Sequence, residues 1–316
     1  MLQGTTLPAN LERSSLDAEL QSEYVRRVKR GYATLAGSRI AIVGLVRNLA
    51  ATLPATVARI EQLGSLTADY RVVVFENDSA DASASILRRW AARNGRVTAL
   101  LETFQDPVNP ATRCLKRIER MARYRTLCQQ AVSHICPTFD YAIVLDFDIG
   151  GRWCDDGIAN TFGHREWDFV GSNGLIYRRE GLVYNSLRQY DMWALRFDGA
   201  MTPLPTCQAR QYCYRTGEPL VSVTSCFGGL GIYRMEAFRE GRYSPSDCEH
   251  VTFHKSLIEA GHGRLFLNPS QILIYGRRNR FGDGAVRKLL ATWGRLMGRP
   301  VEPWHFDGAA LARQAA

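Results

Sequence analysis

Apolar runs alternate with amphipathic segments along the first half of the chain. The runs are continuous and rich in Val, Ile and Leu, which is typical of strands covered on both faces, and they span 39–46, 70–76, 96–102 and 141–145. The segments between them repeat their apolar positions at helical spacing, over 48–64, 79–95 and 114–134. This alternation predicts an α/β fold with a Rossmann-like, mostly parallel sheet flanked by helices.

Amphipathic segments with basic residues lie near both ends of the chain, over 11–35 and 285–297. The predicted organisation is a helical extension, a sheet domain and a basic amphipathic extension, over 1–36, 37–278 and 279–316. The last of these has an apolar face with Trp293 flanked by Arg and Lys, as do helices that lie on anionic membranes. The end segments therefore either pack on the domain or rest on a membrane surface.

The composition is that of a globular protein with a basic balance. The formal net charge of +9 suits phosphate-rich partners, namely nucleotides, nucleic acid or an anionic membrane surface. No recognisable nucleic-acid motif occurs, so we expect no nucleic-acid partner. The eight cysteines form no C-x-x-C pair, and neither a signal peptide nor a transmembrane run is evident. We expect a cytoplasmic protein, at most peripheral on the inner face of the membrane.

Two aspartates, Asp146 and Asp148, follow the fourth apolar run in the stretch "FDYAIVLDFDIGG". Two negative charges beside a low-dielectric core repel each other, and a divalent cation would offset the repulsion. Residues i and i+2 of an extended segment point the same way, so both carboxylates could bind Mn²⁺ or Mg²⁺, or one could bind a ribose hydroxyl or water instead. The other interpretation is that one aspartate caps a turn and the other is solvated.

Further polar side chains follow the first two strands, at the carboxyl edge of the sheet where ligands of such folds bind. They are Arg47, Asn48, Glu76, Asn77 and Asp78. A carboxylate there could accept from a nucleotide base or ribose, although Asn, Asp and Ser also favour ordinary turns. On the preceding helix, Arg123 and Arg125 lie about 200° apart, so only one of them can face the site and hold a diphosphate.

A second group of candidates lies in the stretches "SCFGGLGIYR" and "SPSDCEHVTFHKSL". Gly228 and Gly229 either let the backbone approach a donor closely or serve a tight turn. In the second stretch two acids precede two histidines that share a helix face: Asp247, Glu249, His250 and His254. The histidines are candidate metal ligands and the acids candidate bases, or the group amounts to N-capping and two surface histidines.

Taken in order, these motifs resemble GT-A-fold glycosyltransferases, which use nucleotide sugars. More narrowly, the chain is similar to the fungal capsule-associated α-1,3-mannosyltransferase family. The segments that carry this similarity are "VVVFENDSADAS", "RIERMARYR", "FDYAIVLDFD", "YDMWALRFDG", "SCFGGLGIYRMEAF" and "DCEHVTFH".

The resemblance implies roles for several residues. Asp78 would contact the nucleoside, Arg125 the diphosphate, and Asp146 with Asp148 the Mn²⁺ or Mg²⁺. Asp191 matches a segment near the acceptor, and Asp247 matches an acidic position of the family. By its chemistry an inverting enzyme needs a base for the acceptor hydroxyl, and Asp247 or Glu249 could serve, whereas a retaining enzyme can act without one; the resemblance itself favours retention.

The resemblance also implies the partners. The donor would be GDP- or UDP-linked, with mannose as the sugar that the narrower family implies. The acceptor would be a glycan or a lipid-linked molecule in surface polysaccharide synthesis. Two alternatives stay open: a sugar nucleotidyltransferase, whose Gly-rich loop is absent from "VGLVRNLAATLP", and a non-catalytic, membrane-associated nucleotide-binding module.

Overall fold

The computed structural model describes residues 18–110, 113–149, 152–180, 183–197, 212 and 214–275. The predicted C-terminal extension 279–316, with its segment 285–297, lies outside the described residues. The helices are α1 (Ala18–Ala36), α2 (Leu53–Gly64), α3 (Ser83–Arg93), α4 (Leu115–Ile135), α5 (Asp155–Phe162), α6 (Met235–Glu240) and α7 (Glu249–Glu259). The strands are β1 (Arg39–Val46), β2 (Asp69–Asn77), β3 (Val97–Glu102), β4 (Tyr141–Asp146), β5 (Phe169–Glu180), β6 (Val183–Gln189), β7 (Val221–Ser222), β8 (Leu230–Arg234) and β9 (Leu265–Tyr275).

Nine strands of the described residues form one sheet in the order β3-β2-β1-β4-β8-β5-β9-β7, with β6 paired to β5. Strands β3, β2, β1 and β4 run parallel, and each connection between them contains a helix. Strand β8 is antiparallel to both β4 and β5, whereas β5 and β9 are parallel. The predicted α/β fold with a sheet flanked by helices is confirmed, and the strand directions become mixed beyond β4.

Both faces of the sheet are covered, which explains why the strands are continuous apolar runs. Ala41 and Val43 of β1 belong to one core cluster, which includes residues of α4, α6 and α7. Ile40 and Ile42 belong to the other, which includes residues of α1, α2, α3 and α5. The alternation along one strand thus supplies both cores.

Helix α1, the described part of the predicted N-terminal extension, packs against α5. The Tyr32 hydroxyl donates to Asp156 Oδ1 (2.7 Å), and Arg30 Nε donates to the carbonyl oxygen of Gly163 (2.8 Å). Gly31 is buried, and a Cβ added there would overlap the carbonyl oxygen of Ala159. None of the helices in the described part of the chain has both the length and the apolar character needed to cross a membrane.

Changing Gly31 to alanine is expected to lower the free energy of unfolding by about 1–3 kcal/mol, because the added methyl group forces α1 away from α5. This cost exceeds the gain of up to about 1 kcal/mol that alanine brings to a helix interior. Urea unfolding measures the difference. Gly95→Ala is the control, since nothing lies within 4 Å of its added Cβ; equal stability of the two variants would contradict the packing described for α1.

Candidate functional site

A cleft of about 290 Å³ opens at the carboxyl edge of the parallel strands. The strands end at one level, because Val46 pairs with Glu76 and Leu45 with Asp146. The backbone amide of Asp146 donates to the carbonyl oxygen of Gly229 (2.9 Å), which brings the start of β8 to the same edge. Ligands of open α/β sheets bind at this edge.

The turn after β4 is anchored by Phe147 between the two aspartates. Its side chain is buried, and its carbonyl oxygen accepts from the Thr56 hydroxyl (2.9 Å). A Cβ on Gly44 would overlap the Phe147 ring, so the glycine in β1 makes room for the anchor. Asp146 and Asp148 both line the cleft, and the Tyr275 hydroxyl donates to Asp148 Oδ2 (2.8 Å).

Arg125 is the buried cation of the cleft. Its Nε donates to Glu249 Oε1 (3.2 Å), one Nη lies 3.4 Å from Asp146 Oδ1, and its guanidinium lies over the Phe227 ring at 5.3 Å. Burial opposes the positive charge, but the charges of Glu249 and Asp146 outweigh it and raise the pKa of Arg125. Arg123, two residues earlier, is exposed and lies over the ring of Phe104 instead.

Four carboxylates line the cleft: Asp146, Asp148, Asp191 and Glu249. Burial raises the pKa of Asp146, and the charge of Asp148 raises it further. Burial likewise raises the pKa of Asp148, and burial followed by the charge of Glu249 raises the pKa of Asp191 to about 7. A cation bound beside these carboxylates would offset the repulsion between them.

Asp146 and Asp148 fit the way in which Mg²⁺ and Mn²⁺ are held, through few carboxylates together with substrate phosphates and water. Among the residues that the structure describes, no group of three or more His, Cys, Asp and Glu side chains could hold a metal ion. Asp146 and Asp148 would supply part of the coordination, with substrate phosphates and water as the other ligands. Carboxylate oxygens are the hard ligands that these two ions prefer.

Asp191 reaches the cleft from the segment after β6. Its backbone is left-handed (φ 59°), and its carboxylate accepts from the amide of Gly228. Gly228 and Gly229 both have positive φ, and a Cβ on Gly228 would overlap the carbonyl oxygen of Ser172. The glycine pair thus forms a tight turn against β5, and it positions Asp191 through its backbone; neither glycine is among the described residues that line the cleft.

The polar residues after β1 and β2 divide into two groups. Asn48, Glu76 and Asp78 hold the rim loops: Asn48 accepts from the amide of Ala80 (2.8 Å), and Glu76 accepts from that of Ser79 (2.8 Å). The Asp78 carboxylate accepts from the amides of the 105–106 loop at 3.0 and 3.1 Å. These three are not among the described lining residues.

Arg47 and Asn77 line the cleft itself. The guanidinium of Arg47 donates to two carbonyl oxygens of the loop at 106–107. Asn77 is buried and donates to the Tyr124 hydroxyl (3.2 Å). The loop 105–107 is therefore fixed from both sides, by Asp78 and by Arg47.

The two histidines of α7 are buried, which contradicts the alternative of two surface histidines. His254 is 0% exposed, and its Nδ1 and Nε2 each lie 2.9 Å from a hydroxyl, of Ser225 and of Tyr233. Since both ring nitrogens are satisfied within the core, we leave His254 out of the proposed metal ligands. His250 is 3% exposed, lines the cleft and stacks on Phe227 at 3.8 Å.

His254 is expected to make stability depend on pH. Burial lowers its pKa to about 3. Below the unfolded-state pKa of about 6.5, the unfolded chain binds a proton that the folded chain does not bind. The free energy of unfolding therefore decreases as the pH is lowered, by about 1.4 kcal/mol per pH unit between roughly pH 6 and 4. Because glutamine does not titrate, the wild type should lose stability relative to His254→Gln by about 1.4 kcal/mol for each pH unit over this range.

Urea unfolding at several pH values measures this difference. Tyr233→Phe is the control, because it removes the hydroxyl beside Nε2 but keeps the imidazole, and so should keep the wild-type slope. A His254→Gln variant with the wild-type slope would contradict the role given to burial.

Asp247, beside the histidines, has a different partner. Its Oδ2 lies 3.3 Å from a guanidinium nitrogen of Arg196, which is 0% exposed. Arg196 also donates to the carbonyl oxygen of Trp193 (2.6 Å). Asp247 therefore holds the segment 191–197 to the start of α7, and it is not among the described lining residues.

Several lining residues were not among the candidates named from the sequence. One face of α4 supplies three of them beside the predicted Arg125: Arg117, Met121 and Tyr124. The spacing of these four residues, i, i+4, i+7 and i+8, is that of a helix face, which is a signal that the sequence did contain. Tyr190 and Trp193 lie in the stretch "YDMWALRFDG", where only Asp191 was named as a candidate. Tyr275 had no signal in the sequence, and its ring stacks 4.4 Å from that of Tyr190.

No protein-family model matches the sequence, and no curated protein matches it. The solved structures that are similar at low sequence identity include the following three. A mannosyltransferase from Pyrobaculum calidifontis, in complex with GDP-Man and Mn²⁺, has 13% identity and a TM-score of 0.44, over 90% of this chain and 76% of that chain. Glucosyl-3-phosphoglycerate synthase from Mycobacterium tuberculosis, in complex with UDP, has 16% identity and a TM-score of 0.43, over 86% and 85%. GalNAc-T7 with UDP, GalNAc and Mn²⁺ has 14% identity and a TM-score of 0.47, over 88% of this chain and 57% of that chain.

Proposed function

We propose that this protein is a metal-dependent glycosyltransferase, which moves a sugar from a nucleotide sugar to an acceptor hydroxyl. One observation carries the proposal: Asp146, Asp148 and Arg125 line a single cleft at the carboxyl edge of the parallel strands. Two carboxylates and a buried cation are the groups needed to hold a metal-bound diphosphate. The ordered sequence motifs support the same activity.

On the donor side, Asp146 and Asp148 would hold Mn²⁺ or Mg²⁺ together with the two phosphates. A bound metal of this kind neutralises the charge that develops on the diphosphate as the glycosidic bond breaks. Arg125 is fixed by Glu249 and Asp146, so it adds a preorganised positive charge beside them. Arg47 and Asn77 would face the nucleoside from the β1–β2 side of the cleft.

On the acceptor side, Asp191 is the candidate base. The acceptor oxygen bonds to the anomeric carbon, the bond from that carbon to the diphosphate oxygen breaks, and its electron pair leaves with the nucleoside diphosphate. In an inverting reaction the hydroxyl proton passes to Asp191, whose raised pKa of about 7 suits a base near neutral pH. Glu249 already holds Arg125, and Asp247 already holds Arg196.

The finer features of the proposal follow from the sequence motifs and the charge. We infer a GDP- or UDP-linked donor, with mannose as the sugar, and a glycan or lipid-linked acceptor in surface polysaccharide synthesis. An anionic membrane surface as a partner is supported by the formal net charge of +9.

A thermal-shift panel of nucleoside diphosphates, each with and without Mn²⁺, tests the proposal. We expect one nucleotide to raise the melting temperature only when Mn²⁺ is present, and its hexose conjugate to be slowly hydrolysed. Stabilisation by GDP over UDP would support a mannosyl donor. Metal-dependent binding without turnover on any acceptor would favour a binding module, and release of pyrophosphate would favour a nucleotidyltransferase.

A further inference from the structure

Resting on the proposed function, we propose that the acceptor carries a phosphate or carboxylate group and that Arg117 binds it. Arg117 lines the cleft together with Asp191, Trp193 and His250. Arg117 would thus select an anionic acceptor and hold its charged group near the hydroxyl that reacts.

The state of its guanidinium distinguishes Arg117 from the neighbouring arginines. Arg47 donates to carbonyl oxygens, Arg120 contacts Asp106 and Asn109, and Arg125 contacts Glu249 and Asp146. No hydrogen bond or ion pair joins the Arg117 side chain to another residue of the described part of the chain. Its cation therefore has donors to offer to a ligand.

The Arg117 guanidinium is held by a ring contact instead. It lies over the indole of Trp193, 5.0 Å from the ring centroid, and Arg113 lies over the same indole at 5.2 Å. Stacking of this kind uses the faces of a guanidinium and leaves its N–H edges free for a planar or tetrahedral anion. Both guanidinium groups thus lie over the Trp193 ring, and Arg113 is exposed.

A second and independent feature of the same cleft points to a ligand. His250 is 3% exposed, its Nε2 lies 3.9 Å from Glu249 Oε1, and neither of its ring nitrogens has a hydrogen-bond partner among the described residues. Buried polar groups are nearly always paired, so an unpaired imidazole that lines a cleft indicates a polar group of a ligand. Its stacking on Phe227 holds the ring in place. We assign Nδ1 and Nε2 of His250 to hydrogen bonds with hydroxyl groups of the acceptor.

The position of Arg117 favours the acceptor over the donor. The diphosphate of the donor would be met by the metal on Asp146 and Asp148 and by Arg125. Arg117 instead lies over the indole of Trp193, two residues along the chain from Asp191, the proposed base. An anionic group bound there would hold the neighbouring hydroxyl of the same molecule at the proposed base.

Titration of the full-length protein with small anions tests the inference, both with and without nucleoside diphosphate and Mn²⁺. The probes are mannose 6-phosphate and glycerol 3-phosphate, compared with mannose and glycerol. We expect each anion to bind at least about tenfold tighter than its neutral counterpart, and Arg117→Gln to remove that preference. Arg120→Gln, on the same helix, is the matched control and should keep it.

A second arm distinguishes the sources of the anion. Vesicles of phosphatidylcholine with phosphatidic acid, compared with phosphatidylcholine alone, present the phosphate as a lipid headgroup. Arg117-dependent binding to the acidic vesicles but not to the soluble phosphates assigns a lipid acceptor, and the reverse assigns a soluble one.

Three results would overturn the inference: equal binding of anions and neutral probes, anion binding that survives Arg117→Gln, or a tenfold loss of nucleotide binding in that variant. The last would make Arg117 a donor residue. Failure of the proposed function is a separate outcome, since a wild-type protein that binds no nucleotide with Mn²⁺ can still be titrated with the anions alone.

Discussion

Replacing Arg125 by methionine is expected to lower the free energy of unfolding by about 3–5 kcal/mol, the range for removing one partner of a buried ion pair. Arg125 is 5% exposed and contacts both Glu249 and Asp146, so its loss leaves the buried Glu249 and the partly exposed Asp146 without this cation. Urea unfolding in the absence of divalent metal measures the change.

The control for this prediction is Arg117→Met on the same helix. Arg117 is partly exposed and has no ion pair with a described residue, so we expect a change within about 1 kcal/mol. Adding Glu249→Gln to Arg125→Met removes one of the stranded charges and should recover part of the loss. An Arg125→Met protein as stable as Arg117→Met would show that the buried ion pair contributes nothing.

In an inverting reaction, changing Asp191 to asparagine is expected to lower kcat by about 10²–10⁴-fold, the usual contribution of a general base. The wild-type rate should rise with pH through about 7, because the carboxylate must lose its proton to act and its pKa is raised to that value. Binding of the nucleoside diphosphate with Mn²⁺ should stay within about twofold, which separates loss of a base from loss of the donor site.

Asparagine keeps the shape of the site, because it tolerates the left-handed backbone that Asp191 adopts (φ 59°). Asp247→Asn is the comparison. It should retain turnover but lose stability, since it weakens the partner of the buried Arg196. Loss of turnover in Asp247→Asn, with activity retained in Asp191→Asn, would move the role of base to Asp247.

The first half of the fold could be predicted because its pattern is local. Each apolar run is covered on both faces, each helix follows its strand directly, and parallel strands put their carboxyl ends at one edge. The sequence pattern alone therefore predicts that Arg47, Asn77 and Asp146 lie at one rim. The pattern does not distinguish residues that line the cleft from residues that hold the rim loops, since the Asp78 carboxylate accepts from two backbone amides of a distant loop.

The second half depends on contacts far apart in sequence. His254 has the spacing of a metal ligand, but Ser225 and Tyr233, on other elements, occupy its nitrogens. Asp247 and Asp191 are equivalent acidic candidates in the sequence. The ion pair between Asp247 and Arg196 distinguishes them in the structure. Arg117 stands out only because the other cleft arginines have partners, which is a property of the folded chain and not of any motif.

The central claim is that Asp146 and Asp148 hold a divalent cation that binds the diphosphate of a nucleotide. Calorimetric titration of the preferred nucleoside diphosphate into wild type, Asp148→Asn and Asp140→Asn, each with and without Mn²⁺, tests it most directly. Asp140 precedes the same strand at its opposite end and pairs with Arg39, so it is the matched control. We expect Mn²⁺ to tighten binding to wild type and Asp140→Asn, and Asp148→Asn to lose at least about tenfold of that affinity. Equal, Mn²⁺-dependent affinity of Asp148→Asn and wild type would contradict the claim.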